Sequence, residues 1–284
     1  MRPQEETKKV KRNKIGTVLL IVVFLTGLCL LAYPKVSNYW NSLHSTKEVK
    51  QYVEHIESLN DEEYASILKR AEEYNLALAD RENSFKLSDS QKQEYWESLN
   101  LSGSGIMGYI EIPVIGVTLP IYHGTSNAVL QNAVGHLEWT SLPVGGESSH
   151  CVLSGHRGLP SSKLFTDLDK VAEGDVFIIR ILNEVYTYEV DRILIVEPED
   201  TTALTIESGK DYCTLITCTP YAVNTHRMLV RGHRIENAAV ASSALVTADA
   251  VQIEPLVVAP VLFAGLLILL TAICMLLPGK RRNE

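Results

Sequence analysis

Three side chains in the C-terminal half of the chain have the types that nucleophilic acyl transfer requires. Cys218 ends the apolar run TLIT, and Pro220 two residues later cannot continue a hydrogen-bonded ladder, so the thiol is expected at a strand end. A thiol needs a basic neighbour to become a thiolate, and His156 lies in a Gly-His-x-Gly turn after another apolar strand. Arg227 follows Cys218 closely enough for a loop to return its guanidinium beside the thiol as an oxyanion donor. Cys213, in the middle of its run, is predicted to be core.

The same residue types leave alternatives open. A satisfied structural histidine is the competing interpretation of His156, and His226 and His233 are further candidates through their closeness to the thiol in sequence. Arg231 has the same strand parity as Arg227, so periodicity does not choose between the two. A metal site is disfavoured because the sequence has no CxxC, no HExxH and no other paired-ligand spacing.

Short strands are predicted to carry these residues. Apolar stretches between Gly and Pro residues are typical of β structure. The predicted strands are Ile106–Ile112, Gly116–Tyr122, Cys151–Ser154, Asp175–Leu182, Val185–Val196, Tyr212–Thr217 and His226–His233. A helix is predicted at Asn127–Gly135. Many short strands with few helices predict a mostly antiparallel closed sheet or barrel.

Helices are predicted before this β region. Residues 45–80 have apolar residues at helical spacing, and Ser45 with Glu48 fits a capping box that would begin the first helix. Asn60, three residues before a glutamate, is predicted to cap a second helix. Ser88, three residues before Gln91, is predicted to cap a short third one.

Two apolar runs, Ile15–Tyr33 and Leu256–Leu277, contain no charged residue, and each is long enough to cross a hydrocarbon core of about 30 Å. Residues 1–14 carry six basic and two acidic residues, and residues 280–284 carry three and one, so the positive-inside rule predicts both tails to be cytoplasmic. Residues 34–254, with 17 basic and 31 acidic residues, are predicted to lie outside. The competing interpretations are a cleaved signal peptide for the first run and a wall-sorting tail for the second.

Composition excludes two broad classes. Of the 284 residues, 46% are hydrophobic, which excludes wholesale disorder, and a net charge of −8 without a basic stripe argues against nucleic-acid binding. The protein is predicted to be a multi-pass membrane protein with its catalytic domain on the extracellular face. The predicted boundaries in chain order are a cytoplasmic tail 1–14, a transmembrane helix 15–33, an extracellular helical segment 34–102, a β-barrel domain 103–236, a tether 237–254, a transmembrane helix 255–279 and a cytoplasmic tail 280–284.

Two stretches resemble a known family. TLITC at 214–218 matches the TLxTC signature of sortases, and LSGH at 153–156 matches the segment that bears their histidine. The longer strings SGHRGLPSSKLFTDLDK and TLITCTPYAVNTHRMLVRGHR are most similar to the class C, pilin-polymerising sortases. The similarity covers roughly residues 103–236.

This resemblance implies a mostly β protein: a sortase-type closed β-barrel with short helices, preceded by an N-terminal helical segment and flanked by two transmembrane helices. Cys218 would attack the Thr–Gly carbonyl of an LPxTG-like sorting signal in a pilin subunit, and a lysine amine of the next pilin would resolve the thioacyl enzyme. His156 would be the general acid and base, and Arg227 would hold the substrate carbonyl. Thr217 and Thr219 are predicted to contact substrate. No cofactor, metal or nucleic acid is implied; the partners would be pilins and the membrane.

One feature departs from the class C pattern. Many members carry a lid with an Asp-Pro-aromatic motif, but the only proline in residues 34–102 is Pro34. Tyr95 and Trp96 are the candidates for a substitute aromatic plug, and packing of a short helix on the barrel is the competing interpretation. Two functions of other kinds stay open from sequence alone: a purely hydrolytic surface cysteine protease, and a non-catalytic membrane-anchored scaffold.

Overall fold

The computed structural model describes residues 3–79, 86–101, 103–237 and 265. The chain divides into two units, residues 1–38 with 249–284 and residues 39–248. The predicted second transmembrane helix, its basic tail and almost all of the predicted tether lie outside the described residues. The descriptions below therefore concern the unit formed by residues 39–248, except for the first helix.

Helix α1 spans Pro3–Glu57 and continues through Pro34. Its part Leu19–Glu57 is long and apolar enough, by length and composition, to cross a membrane, and it is the single such helix among the described residues. The predicted helix start at Ser45 is wrong. The apolar run and the amphipathic stretch after it form one continuous helix, so the backbone N–H groups near Ser45 already have partners within the helix.

Two further helices precede the β region, α2 at Asp61–Ala79 and α3 at Asp89–Glu97. Both predicted capping boxes are present. The Glu63 N–H donates to Asn60 Oδ1 at 2.9 Å, and the Asn60 N–H donates to the Glu63 carboxylate at 3.3 Å. The side chain of Ser88 and that of Gln91 satisfy each other's backbone N–H in the same way. Buried apolar side chains of α1, α2 and α3 join the main hydrophobic core.

The eight strands form a closed barrel in the order β1-β2-β3-β4-β7-β8-β6-β5. The strands are β1 (Ile106–Ile112), β2 (Val117–His123), β3 (Val134–His136), β4 (Ser149–Ser154), β5 (Val176–Ile181), β6 (Glu184–Val196), β7 (Asp211–Thr219) and β8 (His226–Ile235). All neighbours are antiparallel except the pairs β2–β3 and β4–β7. The predicted mostly β closed barrel with short helices and a preceding helical segment is confirmed.

The helix predicted at Asn127–Gly135 is shorter than expected. Helix α4 spans only Asn127–Leu130, capped by the Ser126 side chain, and β3 begins at Val134. Gly135 lies opposite Tyr122 of β2, so pairing with a distant strand replaces the last predicted helical turn. Local spacing carries no information about that partner.

The barrel wall separates two apolar clusters. Interior side chains such as Cys213 and Leu215 belong to the main core. Ile216, the next residue after Leu215 on β7, belongs to a second cluster. Because side chains alternate along a strand, this second cluster lies on the outer face of the wall. We call it the outer cluster; its buried members are Val152, Leu204, Ile216 and Leu229.

Candidate active site

Cys218 lies one residue before the end of β7, and its side chain is half-buried. By strand alternation it shares the outer face with Ile216, while Thr217 points to the interior. Its partner in the antiparallel ladder is Arg227 on β8. Directly opposite residues have Cβ atoms about 5 Å apart on the same face, so thiol and guanidinium share one patch of surface.

Arg227 is flanked on both sides by strands, with Cys218 on β7 and Val196 on β6 as its ladder partners. Its Nη1 donates to the backbone carbonyls of Asn224 (3.3 Å) and His226 (3.1 Å). Within the part of the chain that the structure describes, no carboxylate forms an ion pair with this guanidinium. The positive charge is held in place by neutral acceptors and is therefore available to an anionic or carbonyl oxygen.

The His156 loop, which we define as residues 155–160, begins where β4 ends. Strand β4 is parallel to β7 with Ser154 opposite Ile216, and the Gly155 N–H continues the ladder by donating to the Ile216 carbonyl at 3.0 Å. Continued for two further residues, the same register would set His156 level with Cys218. His156 is half-buried and so is not part of the core.

Other candidates from the sequence lie elsewhere. Arg231 faces outward like Arg227, but its partner on β7 is Thr214, four residues before the thiol. Its guanidinium binds Asp191 at 2.9 Å and Glu207 at 3.3 Å and lies over the ring of Tyr212, so Arg231, which strand parity left open as the oxyanion donor, is a structural ion-pair residue.

The two histidines that were candidates only by closeness in sequence do not lie beside Cys218 on its own face of the barrel wall. His226 lies opposite Thr219 on the ladder, and its Nε2 is 3.2 Å from the Glu197 carboxylate. His233 lies opposite Tyr212, near the other end of β7. By strand alternation His226 lies on the face opposite that of Cys218, and His233 lies at the far end of the strand.

The predicted substrate contact of Thr217 does not fit its position. Thr217 is 2% exposed, and its hydroxyl donates to the Gly155 carbonyl at 2.8 Å. It therefore anchors the start of the His156 loop to the strand that carries Cys218, a role that no local sequence signal indicated. Thr219 is also buried, and its contact with substrate stays a prediction.

Tyr95 and Trp96 do not form the predicted plug. The Tyr95 side chain is fully buried, and its hydroxyl contacts the His136 ring at 3.1 Å and accepts from the Gly124 N–H at 2.9 Å. The Trp96 ring stacks on His123. These contacts join α3 to strands β2 and β3, two or more strands away from β7, so the competing interpretation of a helix packed on the barrel is the correct one.

Comparisons with known proteins agree with this geometry. Residues 110–235 match the model of the sortase domain. The fold superimposes on sortase C1 of Streptococcus agalactiae with 50% sequence identity and a TM-score of 0.66, covering 67% of this chain and 99% of that one. Sortase C of Clostridium perfringens, solved with the C-terminal cell wall sorting motif, is 45% identical with a TM-score of 0.60, covering 67% of this chain and 98% of that one.

A curated relative matches over a shorter length. Sortase D of Bacillus subtilis (strain 168) is 31% identical over 131 residues, which are 45% of this chain and 63% of that protein, so the match spans less than two thirds of this relative. Family membership contradicts the interpretation as a non-catalytic scaffold. The chain belongs to the sortase family, is a cysteine transpeptidase, and has class C sortases as its structural neighbours.

Proposed function

We propose that this transpeptidase joins pilin subunits through lysine isopeptide bonds, with Cys218 as nucleophile, His156 as general acid and base, and Arg227 as the donor to the substrate carbonyl. The observation that carries the proposal is the register of β7, which sets Cys218 opposite Arg227 on one side and extends toward His156 on the other. Nucleophile, proton carrier and oxyanion donor are the three parts that acyl transfer needs.

In the first step, the Cys218 thiolate attacks the carbonyl carbon of the threonine in an LPxTG-like signal. The Arg227 guanidinium donates hydrogen bonds to the carbonyl oxygen as it gains negative charge. The Thr–Gly C–N bond then breaks, and the leaving glycine amine takes a proton from His156. The product is a thioacyl enzyme, and the C-terminal tail of the pilin leaves.

In the second step, a lysine amine of the next pilin attacks the thioester. His156, now neutral, accepts the proton that the amine loses, and Cys218 leaves as the thiolate. The amide formed is an isopeptide bond, and the enzyme returns to its starting state. Water attacking the same thioester would give hydrolysis, so the choice between transfer and hydrolysis depends on which nucleophile enters the site.

The outer cluster supports a peptide substrate with apolar residues. Ile216 and Leu229 face outward on β7 and β8, two residues from Cys218 and Arg227 respectively, and are packed with Val152 and Leu204. Partly buried apolar side chains, among them Trp139 and Leu194, border them. The exposed parts of these bordering side chains suit the leucine and proline of a sorting signal, and the C. perfringens relative was solved with the C-terminal cell wall sorting motif.

We further propose that α1 anchors the enzyme in the cell membrane and that a second span at 255–279 returns the chain to the cytoplasm. One apolar helix in the described residues supports the first anchor. Single cysteines introduced in a Cys29→Ser, Cys218→Ala and Cys274→Ser background, labelled on whole cells with an impermeant reagent, should react at exposed positions of 39–237 and not at 2–8 or 280–284. External labelling at 280–284 would contradict the two-span arrangement.

The direct test of the proposed function uses the full chain in detergent micelles with a pilin bearing an LPxTG-like signal. We expect a ladder of covalent oligomers on a denaturing gel, and no ladder with Cys218→Ala. A pilin whose acceptor lysines are replaced, supplied with and without a small amine, separates transfer from hydrolysis. Release of the C-terminal tail at equal rates with and without amine, with no amine adduct, would establish a hydrolytic protease instead.

A further inference from the structure

The His156 loop is tied to the Cys218 strand at its first residue. The Gly155 N–H donates to the Ile216 carbonyl and the Gly155 carbonyl accepts from the Thr217 hydroxyl. One residue later, the His156 carbonyl accepts from the Phe165 N–H at 3.1 Å. On the C-terminal side of the imidazole, the Gly158 N–H donates to Thr166 Oγ1 at 3.1 Å, and the other face of that glycine is left to further contacts.

The C-terminal side is covered by Tyr221. Gly158 has φ +78°, and a Cβ built there would lie 2.9 Å from Tyr221 Cε2, so the aromatic ring lies directly against the glycine backbone. The Arg157 guanidinium is 5.9 Å from the centre of the same ring and is itself held by an ion pair with Asp169. Gly158 thus satisfies two requirements together, a left-handed backbone and close approach of a ring.

Tyr221 belongs to the loop that joins Cys218 to Arg227. This loop folds back on itself, because the N–H groups of Val223 and Asn224 both donate to the Pro220 carbonyl, at 3.1 and 3.0 Å. Tyr221 is nevertheless 54% exposed, so core burial does not account for its position. Its described neighbours are Gly158 and Arg157, the two residues that follow His156.

We propose that Tyr221 is a positioning residue for the transpeptidation: its ring, packed against Gly158 and Arg157, holds the His156 loop in register with Cys218. The inference rests on the proposed roles of His156 and Cys218. Misplacing a catalytic group by about 1 Å can lower a rate by on the order of 100-fold, so a contact two residues from the imidazole is enough to matter. The ring face makes the contact, and the hydroxyl is not required.

The test compares variants of the full chain in detergent micelles, with an LPxTG-like peptide and an amine acceptor. Tyr221→Ala should lower kcat by roughly 10- to 100-fold with KM changed by less than about twofold, and Tyr221→Phe should restore most of the rate. Val223→Ala is the matched control, because Val223 is 64% exposed on the same loop. It should behave like the unaltered protein.

A second measurement separates positioning from simple structural support. The rate at which iodoacetamide alkylates Cys218 is followed against pH by mass spectrometry of the peptide that contains it. If His156 acts on the thiol, His156→Ala changes this profile. Tyr221→Ala should shift the profile in the same direction, while Tyr221→Phe and Val223→Ala should leave it in place.

The outcomes distinguish this inference from the proposed function. Normal turnover by Tyr221→Ala, or a loss of turnover with an unshifted alkylation profile and a lowered Tm, overturns the positioning role. If Cys218→Ala or His156→Ala keeps full transpeptidation, the proposed function itself is wrong. Inactive Cys218→Ala and His156→Ala beside a normal Tyr221→Ala leaves the proposed function intact and removes only the positioning role.

Discussion

The two sides of the barrel wall hold chemically identical groups in opposite environments. Cys151 and Cys213 lie opposite each other on the parallel strands β4 and β7, at 2% and 0% exposure, within the main core. Cys218 is on the same strand as Cys213, five residues further along, but on the outer face at the strand end. Burial raises the pKa of the Cys213 thiol well above its usual range, which keeps it protonated and inert.

The histidines differ in burial. Burial is the main cause that lowers the pKa of His123 and of His150, and both rings are held by backbone carbonyls, those of Gly105 and Thr205 among them. His156 is instead half-buried in the loop after β4. Strand parity thus separates the two thiols of β7, whereas burial and position relative to the strand end separate the imidazoles.

The largest effect on activity is expected when the thiol on the outer face, that of Cys218, is removed. Cys218→Ala should abolish peptide cleavage and pilin ligation while leaving Tm nearly unchanged, because it deletes a half-buried group at a strand end. Cys213→Ala, the matched interior control, should keep most activity and lose about 1 kcal/mol of unfolding free energy through the small cavity it leaves. A folded but inactive Cys213→Ala beside an active Cys218→Ala would show that Cys213, and not Cys218, is the nucleophile.

The next effect concerns two arginines on the same face of β8. Arg227→Lys should lower kcat by roughly 10²–10³, the scale seen when one oxyanion donor is lost, because an ammonium lacks the planar donor fork. Its Tm should stay close to that of the unaltered protein, since no described carboxylate pairs with Arg227. Turnover within about twofold of normal would show that charge alone suffices or that backbone N–H groups bind the oxyanion.

Arg231→Lys is expected to act on stability instead. Arg231 donates through Nε and Nη2 to Asp191 and through Nη1 to Glu207, and a lysine cannot reproduce that geometry. We expect a loss of about 1–2 kcal/mol in unfolding free energy, measured by denaturant titration, with kcat within about twofold. An inactive, fully stable Arg231→Lys would show that Arg231, and not Arg227, is the oxyanion donor.

The smallest effect is a pH dependence of stability that originates away from the site. His123 and His150 have folded-state pKa values below the ordinary 6.5, so below that pH the unfolded chain binds protons that the folded chain does not. Stability should therefore be constant from pH 8 to about 7 and fall below about 6.5, by at most about 1.4 kcal/mol per pH unit for each proton. His150→Gln should make this fall shallower; a profile as steep as that of the unaltered protein would contradict the assignment.

Much of the fold could be predicted because its determinants are local. Alternating apolar residues located β5 to β8 to within a few residues, and the capping boxes at Asn60 and Ser88 marked two helix starts correctly. The errors have a common cause. A capping box at Ser45 was inferred where a longer helix already satisfies the backbone, and the helix after Ser126 was extended into residues that pair with β2.

In the candidate site, too, some features follow from local sequence and others from pairing between distant strands. By itself the sequence determined the residue types and their faces: a thiol at a strand end, a histidine in a glycine turn, and two arginines of equal parity. Strand parity did not choose between the two arginines; the register of β8 on β7 did, because the partner of Arg227 is Cys218 and that of Arg231 is Thr214. The tertiary structure also decided that Tyr95 and Trp96 pack on β2 and β3. Pairing between distant strands is fixed by closure of the whole barrel, and no local pattern encodes it.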